Sequence, residues 1–307
     1  MVLLANPRGF CAGVTRAIEG VERDLMTFGR PVYIRRPIVH NQTVTDRLAA
    51  MGAIFVREIE EVPEGAAVIL SAHGVAPSVR RAAIARSLKV IDATCPLVAK
   101  VHSHVIAHYR AGRHILLIGH ADHPEIIGTL AQVPPDGISL VSAPGDVAAL
   151  GVRRDTKIAY AVQTTFSVRD ARAIVAEMEG RFADIVGPRA GNICYATTNR
   201  QVAVASIAGI VDCLLVVGDT QSSNANRLVE VALAAGCKDS MLVRDRCDLD
   251  WAVIDKASAI GLTAAASTPD SNVQDICAAL ATQGLTIREY EGLQETATFR
   301  PMSMVKE

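Results

Sequence analysis

The chain has 307 residues, half of them hydrophobic and 21% charged, so it can bury a sizeable core and global disorder is excluded. Its 31 Lys and Arg against 32 Asp and Glu leave a net charge of -1, and aromatic residues number six Phe, five Tyr and one Trp. That balance argues against a nucleic-acid binder, which carries a basic excess and aromatic platforms for bases.

The chain opens with a short apolar strand, Val2–Leu4, followed by Cys11 in PRGFCAGV. After Cys11 the residues Val14, Ala17, Ile18, Val21, Leu25 and Phe28 recur at helical spacing until Gly29 stops the run. Val32–Ile34 is an apolar strand that ends in a polar knot, VHNQTV, with His40 at the start of another helix. A third strand ends in ILSAHGVAPSV, a second knot, with His73. The order then begins again. Val90–Ile91 leads to Cys95, Pro96 suits a first helical turn, and Leu97, Val98, Val101, Val105 and Tyr109 follow before Gly112. Ile115–Ile118 leads to DHPEIIGT, with His123 and Glu125, and AYAVQTTFSV carries Thr164. A third time, Ile185–Val186 leads to Cys194, and a helical run from Asn199 to Ala208 ends at Gly209. Leu214–Val217 then leads to DTQSSNANRL, with Ser222, Ser223 and Asn224, and GLTAAASTPDSNV carries Ser267.

The first knots place His40, His123 and Ser222 at 29, 28 and 28 residues past their cysteines. The second knots place His73, Thr164 and Ser267 at 62, 69 and 73 residues past them. This is a threefold internal repeat of alternating strands and helices, which predicts an α/β fold of mostly parallel sheets with crossover helices. The predicted lobes are residues 1–94 with the N-terminal strand, 95–193 and 194–280, related by a pseudo-threefold axis, with a C-terminal tail over 281–307. Ligands in such sheets collect beyond the carboxyl ends of the strands, where every knot sits. Three cysteines are therefore expected to meet there, with six knots around them.

The longest apolar stretch, Val202 to Val217, is broken by Ser206 and Asp212 and falls short of the roughly 18 residues of a membrane span. The Val2–Ala5 run is shorter than the about 7–15 apolar residues of a secretory signal. A cytoplasmic protein is expected, with its seven cysteines not in disulfides. Cys213, Cys237, Cys247 and Cys277 have ordinary surroundings and read as structural. Cys11, Cys95 and Cys194, each opening a helix, point to a metal centre, since thiolates select zinc, copper or iron–sulfur clusters and a helix N-terminus stabilises the thiolate. A 4Fe-4S cluster takes four cysteines as a rule, so three leave one iron open; a Cys3His zinc site is the alternative.

His40, His73 and His123, together with Ser222, Ser223, Asn224 and Ser267, read as a phosphate cradle at helix starts. No Walker or Rossmann glycine pattern is present. His102, His104 and His108 share one helix and read as a solvated face, and His114 and His120 as structural. Glu125 is either a favourable acid in a helix's first turn or a proton donor.

Taken in order, NPRGFCAGV, IVHN, SAHGV, DATCPLV, GHADHPE, QTTFSV, ICYATTNRQ, SSNANRL and TAAASTP resemble the LytB-type 4-hydroxy-3-methylbut-2-enyl diphosphate reductases of the non-mevalonate isoprenoid pathway, from Asn6 to Asp270. The resemblance implies three α/β lobes around one 4Fe-4S cluster held by Cys11, Cys95 and Cys194. It implies a diphosphate site from His40, His73, Ser222, Ser223, Asn224 and Ser267. It places His123, Thr164 and Glu125 around the substrate hydroxyl, with Glu125 in the proton path. The expected partners are the diphosphate substrate and an electron donor such as ferredoxin or flavodoxin, with neither nucleic acid nor membrane. Two other readings of the same residues are a zinc-dependent phosphohydrolase, separated by metal analysis, and an iron–sulfur sensor, separated by diphosphate binding. Arg300–Pro301 is expected to fold back over the site.

Overall fold

A computed structural model of the chain describes residues 1–188 and 192–305. The chain begins with β1 (Val2–Leu4) and α1 (Ala12–Phe28). It continues through β2 (Val32–Arg35), α2 (Gln42–Ala50), β3 (Ala53–Val56), β4 (Ala67–Leu70), α3 (Pro77–Ala85) and β5 (Lys89–Asp92). The second run is α4 (Pro96–Arg110), β6 (His114–Ile118), α5 (Pro124–Leu130), β7 (Ile138–Val141), α6 (Pro144–Ala149), β8 (Ile158–Val162), α7 (Val168–Arg181) and β9 (Ile185–Val186). The third is α8 (Tyr195–Ala208), β10 (Cys213–Val217), α9 (Ser223–Ala234), β11 (Asp239–Val243), α10 (Trp251–Ile254), β12 (Ile260–Ala264), α11 (Asp270–Thr282) and β13 (Ile287–Glu289).

These strands form three sheets with the orders β3-β2-β4-β5, β7-β6-β8-β9 and β11-β10-β12-β1-β13. Within each sheet neighbouring strands run parallel. The repeat seen in the sequence is thus a repeat of topology. Each sheet has an edge strand, two central strands, and then the strand that feeds a cysteine. In the third sheet β1 takes the place that β5 and β9 take in the others. The N-terminal strand therefore pairs with β12 and β13 of the last repeat, not with the strands that follow it, and the residues after 281 add β13.

Parallel sheets with helices on both faces need strands that are apolar throughout. The β10 run CLLVV is buried at every position. Its alternate residues face opposite sides: Leu214 and Val216 pack with Val204 and Ile207 of α8 and Leu228 of α9, while Leu215 and Val217 pack with Val273, Ile276 and Leu280 of α11. In the second sheet Ile115 and Leu117 meet Val101 and Val105 of α4, and Leu116 and Ile118 meet Ile174 and Met178 of α7. Each such side chain contributes about 1.5–3 kcal/mol on leaving water.

The chain divides into two compact units. The first holds Met1–Thr15, Val39–Thr45 and Tyr195–Thr298, and with them the third sheet. The second holds Arg16–Ile38, Asp46–Cys194 and Phe299–Glu307, and with them the other two sheets. In the second unit the C-terminal segment lies along α1 and β5. Met302 is buried against Gly20, where a Cβ would overlap its methyl group. Met304 makes an antiparallel bridge with Ile91, and the Val305 amide donates to the Val90 carbonyl at 2.9 Å. Among the described residues no helix is long and apolar enough to cross a membrane.

Candidate active site

All three cysteines singled out by the repeat enter their helices by the same turn. The amide of Cys95 donates to the Ala72 carbonyl at 2.9 Å, that of Cys194 to Thr164 at 3.0 Å, and that of Cys11 to Ala266 at 3.3 Å. Each acceptor stands just past a third strand of its repeat, β4, β8 or β12. Each cysteine immediately precedes a helix, α4, α8 or α1. The Cys11 and Cys95 carbonyls accept from Thr15 and Ala99, so both cysteines occupy the N-cap position.

All three are half-buried, and none of the seven cysteines is in a disulfide. The other four differ. Cys213, Cys237 and Cys277 are buried and Cys247 is exposed. Burial pushes the Cys213 thiol up to about 12 and also raises Cys237 and Cys277, which keeps them as protonated core residues.

Cys11 belongs to the first unit, and Cys95 and Cys194 to the second. Among the described residues no three or more His, Cys, Asp or Glu side chains are gathered to hold a single metal ion. A zinc ion requires its ligands on one atom, whereas each thiolate of a cluster binds a separate iron. Three half-buried thiols, each at the start of a helix, are donors of the kind that iron–sulfur clusters take.

In the first unit the loops after β2, β10 and β12 come together. The Ser267 hydroxyl donates to the His40 carbonyl at 3.1 Å and lies 3.4 Å from Ser222 Oγ. Ser222 caps α9, its hydroxyl accepting from the Ala225 amide at 3.3 Å. Ser223 and Asn224 follow in the first turn. Asp219 accepts from the amides of Gln42 and Gln221 and so ties the His40 loop to the serine loop. Asn224 is 4% exposed, and among the described residues neither polar atom of its amide has a hydrogen-bond partner. A buried amide left unsatisfied is costly, and a bound anion with a water or hydroxyl satisfies it. Burial pushes the His40 imidazole below its ordinary range, and Asp219 pulls it partly back.

In the second unit His73, His123, Glu125 and Thr164 stand at the ends of β4, β6 and β8. The Thr164 amide and hydroxyl each donate to Glu125, to Oε1 and Oε2, both at 2.7 Å. Glu125 is 2% exposed, and burial pushes its carboxyl from 4.5 up to about 7, against the opposing pull of the two Thr164 hydrogen bonds. His123 Nδ1 accepts from the Glu125 amide at 3.2 Å, which fixes the neutral tautomer with its N–H on Nε2. Its ring meets that of His73 edge to face at 5.8 Å. The turn after His73 requires Gly74, whose φ is +79° and whose missing Cβ leaves room for the His102 ring.

His102 is therefore a packing residue, its imidazole pushed down by burial to about 4, and not part of a solvated face. His104 likewise meets the Tyr160 carbonyl at 3.0 Å. His114 hydrogen-bonds Ser139, and the His120 ring lies tilted against that of Phe166, with centroids 4.9 Å apart. Sequence reasoning missed Asp219, whose carboxylate ties the His40 loop to the serine loop. It also missed Gln163, which is fully buried and accepts from the His120 amide at 3.0 Å. Both lie inside knots, but a polar residue that does not recur from repeat to repeat carries no pattern of its own, which is why these escaped notice.

The family model of the LytB protein matches residues 2–281. The chain is 51% identical over 281 residues to the 4-hydroxy-3-methylbut-2-enyl diphosphate reductase of Beijerinckia indica, covering 91% of this chain and 88% of that one. It is 47% identical over 305 residues to the enzyme of the same name from Cereibacter sphaeroides (strain ATCC 17023), covering 99% and 96%. A solved E-1-hydroxy-2-methyl-but-2-enyl-4-diphosphate reductase from Plasmodium falciparum superposes with a TM-score of 0.93 at 39% identity, over 96% of this chain and 93% of that one. A second solved (E)-4-hydroxy-3-methyl-but-2-enyl diphosphate reductase, described as the terminal enzyme of the non-mevalonate pathway, gives 0.66 at 31% identity, over 92% and 100%.

Proposed function

The chain belongs to the LytB protein family, and from that premise we propose that it reductively removes the hydroxyl of (E)-4-hydroxy-3-methylbut-2-enyl diphosphate. The balance is substrate, two electrons and two protons giving water and isopentenyl or dimethylallyl diphosphate. Hydroxide is a poor leaving group, so the oxygen needs a proton and the allylic fragment needs electrons one at a time. A 4Fe-4S cluster on Cys11, Cys95 and Cys194, with one iron open, supplies single electrons and a Lewis acid when bound.

The protein's own groups do the rest. His40, His73, Ser222, Ser223, Asn224 and Ser267 hold the diphosphate, the substrate's strongest binding handle, and so orient its far end. Burial favours neutral His40 in the unliganded chain, and a bound diphosphate reverses that preference. His123 offers Nε2–H to the substrate hydroxyl. Glu125, its carboxyl raised by burial to about 7, is the proton store: the Thr164 hydroxyl, which donates to its Oε2 in the unliganded chain, gives its proton to the leaving oxygen and takes the Glu125 proton in exchange. Ferredoxin or flavodoxin is the electron donor, and the setting is cytoplasmic.

The observation that supports this reading most is the shared turn of the three cysteines, each amide on a third-strand carbonyl. Anaerobic purification with iron and sulfide analysis tests it, followed by one turnover with dithionite-reduced protein. The expected result is a brown protein with iron and sulfide in equal amounts that yields both products. A colourless protein containing zinc would point instead to hydrolysis.

A further inference from the structure

Two arginines treat two of the cysteine loops alike. Arg16 lies on α1, five residues after Cys11. In the second unit its Nη1 donates to the carbonyls of Ala93 at 3.1 Å and Thr94 at 3.2 Å, the two residues before Cys95. Its Nε donates to the Arg300 carbonyl at 2.8 Å. Arg200 lies on α8, six residues after Cys194. In the first unit its Nε and Nη2 donate to the Gly9 carbonyl at 3.1 and 2.7 Å, and Nη2 reaches Phe10 at 3.4 Å, the two residues before Cys11. Its Nη1 donates to Ala196 at 2.9 Å and pairs with Glu295 at 3.0 Å. The guanidinium of Arg200 is fully buried, and Asn199 adds a donor to the same Glu295 carboxylate at 3.0 Å.

We propose that Arg16 and Arg200 are paired positioning residues, each gripping the two carbonyls ahead of one cysteine and each held in turn by the C-terminal segment, so that Cys95 and Cys11 stay set for the cluster. This rests on the cluster reading above. The guanidinium holds several donors in one plane: Arg200 uses Nε and Nη2 on Gly9 and Phe10, and Arg16 puts Nη1 on two carbonyls and Nε on a third, a set that a lysine's single ammonium does not reproduce. A fully buried guanidinium is costly unless its donors are satisfied, and Arg200 meets that need on the Cys11 loop and on Glu295. The Arg16 guanidinium also brings positive charge to the two residues before Cys95. The third cysteine loop is held differently, by Asn192 Oδ1 accepting from the Val162 amide at 3.2 Å. Tyr195, next to Cys194, adds a further tie, its hydroxyl accepting from the Ala12 amide at 3.2 Å.

The test uses the full chain reconstituted anaerobically with iron and sulfide, compared with Arg16→Gln, Arg16→Lys and Glu295→Gln. Arg153→Gln, at an exposed pair with Asp155, is the control. Three things are measured: bleaching of the visible chromophore by a ferrous chelator, the cluster's midpoint potential, and thermal melting of the metal-free chain. Arg16→Gln and Glu295→Gln should release iron about tenfold faster, as expected for one lost charge-assisted hydrogen bond. Their metal-free melting should stay near that of the parent. Arg16→Gln should also be harder to reduce, and Arg16→Lys should restore the potential without restoring retention. Parent-like release from both Arg16→Gln and Glu295→Gln, beside a parent that holds its cluster, overturns this inference alone. A parent that takes up no cluster overturns the cluster reading and this inference with it.

Discussion

In the first unit the loops beyond the strand ends carry hydroxyls, an amide and an imidazole, with Ser222, Asn224 and Ser267 buried and the Asn224 amide unsatisfied. In the second unit the matching positions carry a buried carboxyl, Glu125, clasped by Thr164 and backed by two histidines. The sheets beneath are alike in strand order and direction. The comparison teaches that one scaffold can be fitted with different chemistry, and that the side chains just past each strand set it. The first unit has the donors to receive an anion. The second has what is needed to hold a proton at neutral pH.

The cysteine register is the feature both units share, so its loss should have the largest effect. Cys95→Ser is expected to reduce iron content to background and abolish turnover. Cys213→Ser, in a buried strand, should leave the chromophore in place. Iron analysis of the two variants decides, and normal iron in Cys95→Ser removes the shared centre.

Two further changes separate the units by affinity. His40→Ala should weaken binding of inorganic diphosphate by about 10–100-fold, the loss of one charge-assisted hydrogen bond, as read by calorimetry. Asn224→Leu, close to isosteric, should weaken it too, yet stabilise the unliganded chain by about 1 kcal/mol, because a buried amide without partners is removed. A stability loss with unchanged affinity would mean that the amide is not waiting for a ligand.

The smallest effects fall on pH. The Glu125 carboxyl keeps its proton in the folded chain up to about 7, whereas in the unfolded chain it loses it near 4.5. The folded state therefore binds more protons in that window, and stability should fall as pH rises from 4.5 to about 7. Glu125→Gln should flatten that slope in denaturant titrations. Thr164→Val removes the hydroxyl that passes the proton outward, so turnover should fall, and it also removes one of the hydrogen bonds that hold the Glu125 carboxyl down, so the loss of stability with rising pH should extend to higher pH. Neither change should alter diphosphate affinity.

Much of this arrangement is legible in the sequence, and the exceptions have physical reasons. The central strands are apolar throughout because helices cover both faces, so runs such as CLLVV stand out. The strands β3, β7 and β11 lie at sheet edges, with partly exposed residues such as Ile54 and Ser139, and lack that signal. β1 is plain as a strand, but its partners are 258 and 285 residues away, at Ile260 and Ile287, and no local pattern reports such pairing. Chemistry-bearing residues in the knots are visible because they recur at fixed spacings. Arg200 is a charged residue in a helix whose faces are mostly buried, and only the structure shows it fully enclosed.

The proton-holding role of Glu125 is tested most directly by one turnover of Glu125→Gln. The variant is reconstituted, reduced anaerobically and mixed with (E)-4-hydroxy-3-methylbut-2-enyl diphosphate, and product is followed with time. Gln keeps the shape and, through its amide oxygen, the hydrogen bond from the Thr164 amide, while its NH2 can donate to Thr164 Oγ but supplies no proton, so product formation should slow by about 10²–10⁴-fold while iron content and diphosphate affinity stay those of the parent. Product formation at the parent rate would contradict the account and reduce Glu125 to an acid at a helix start.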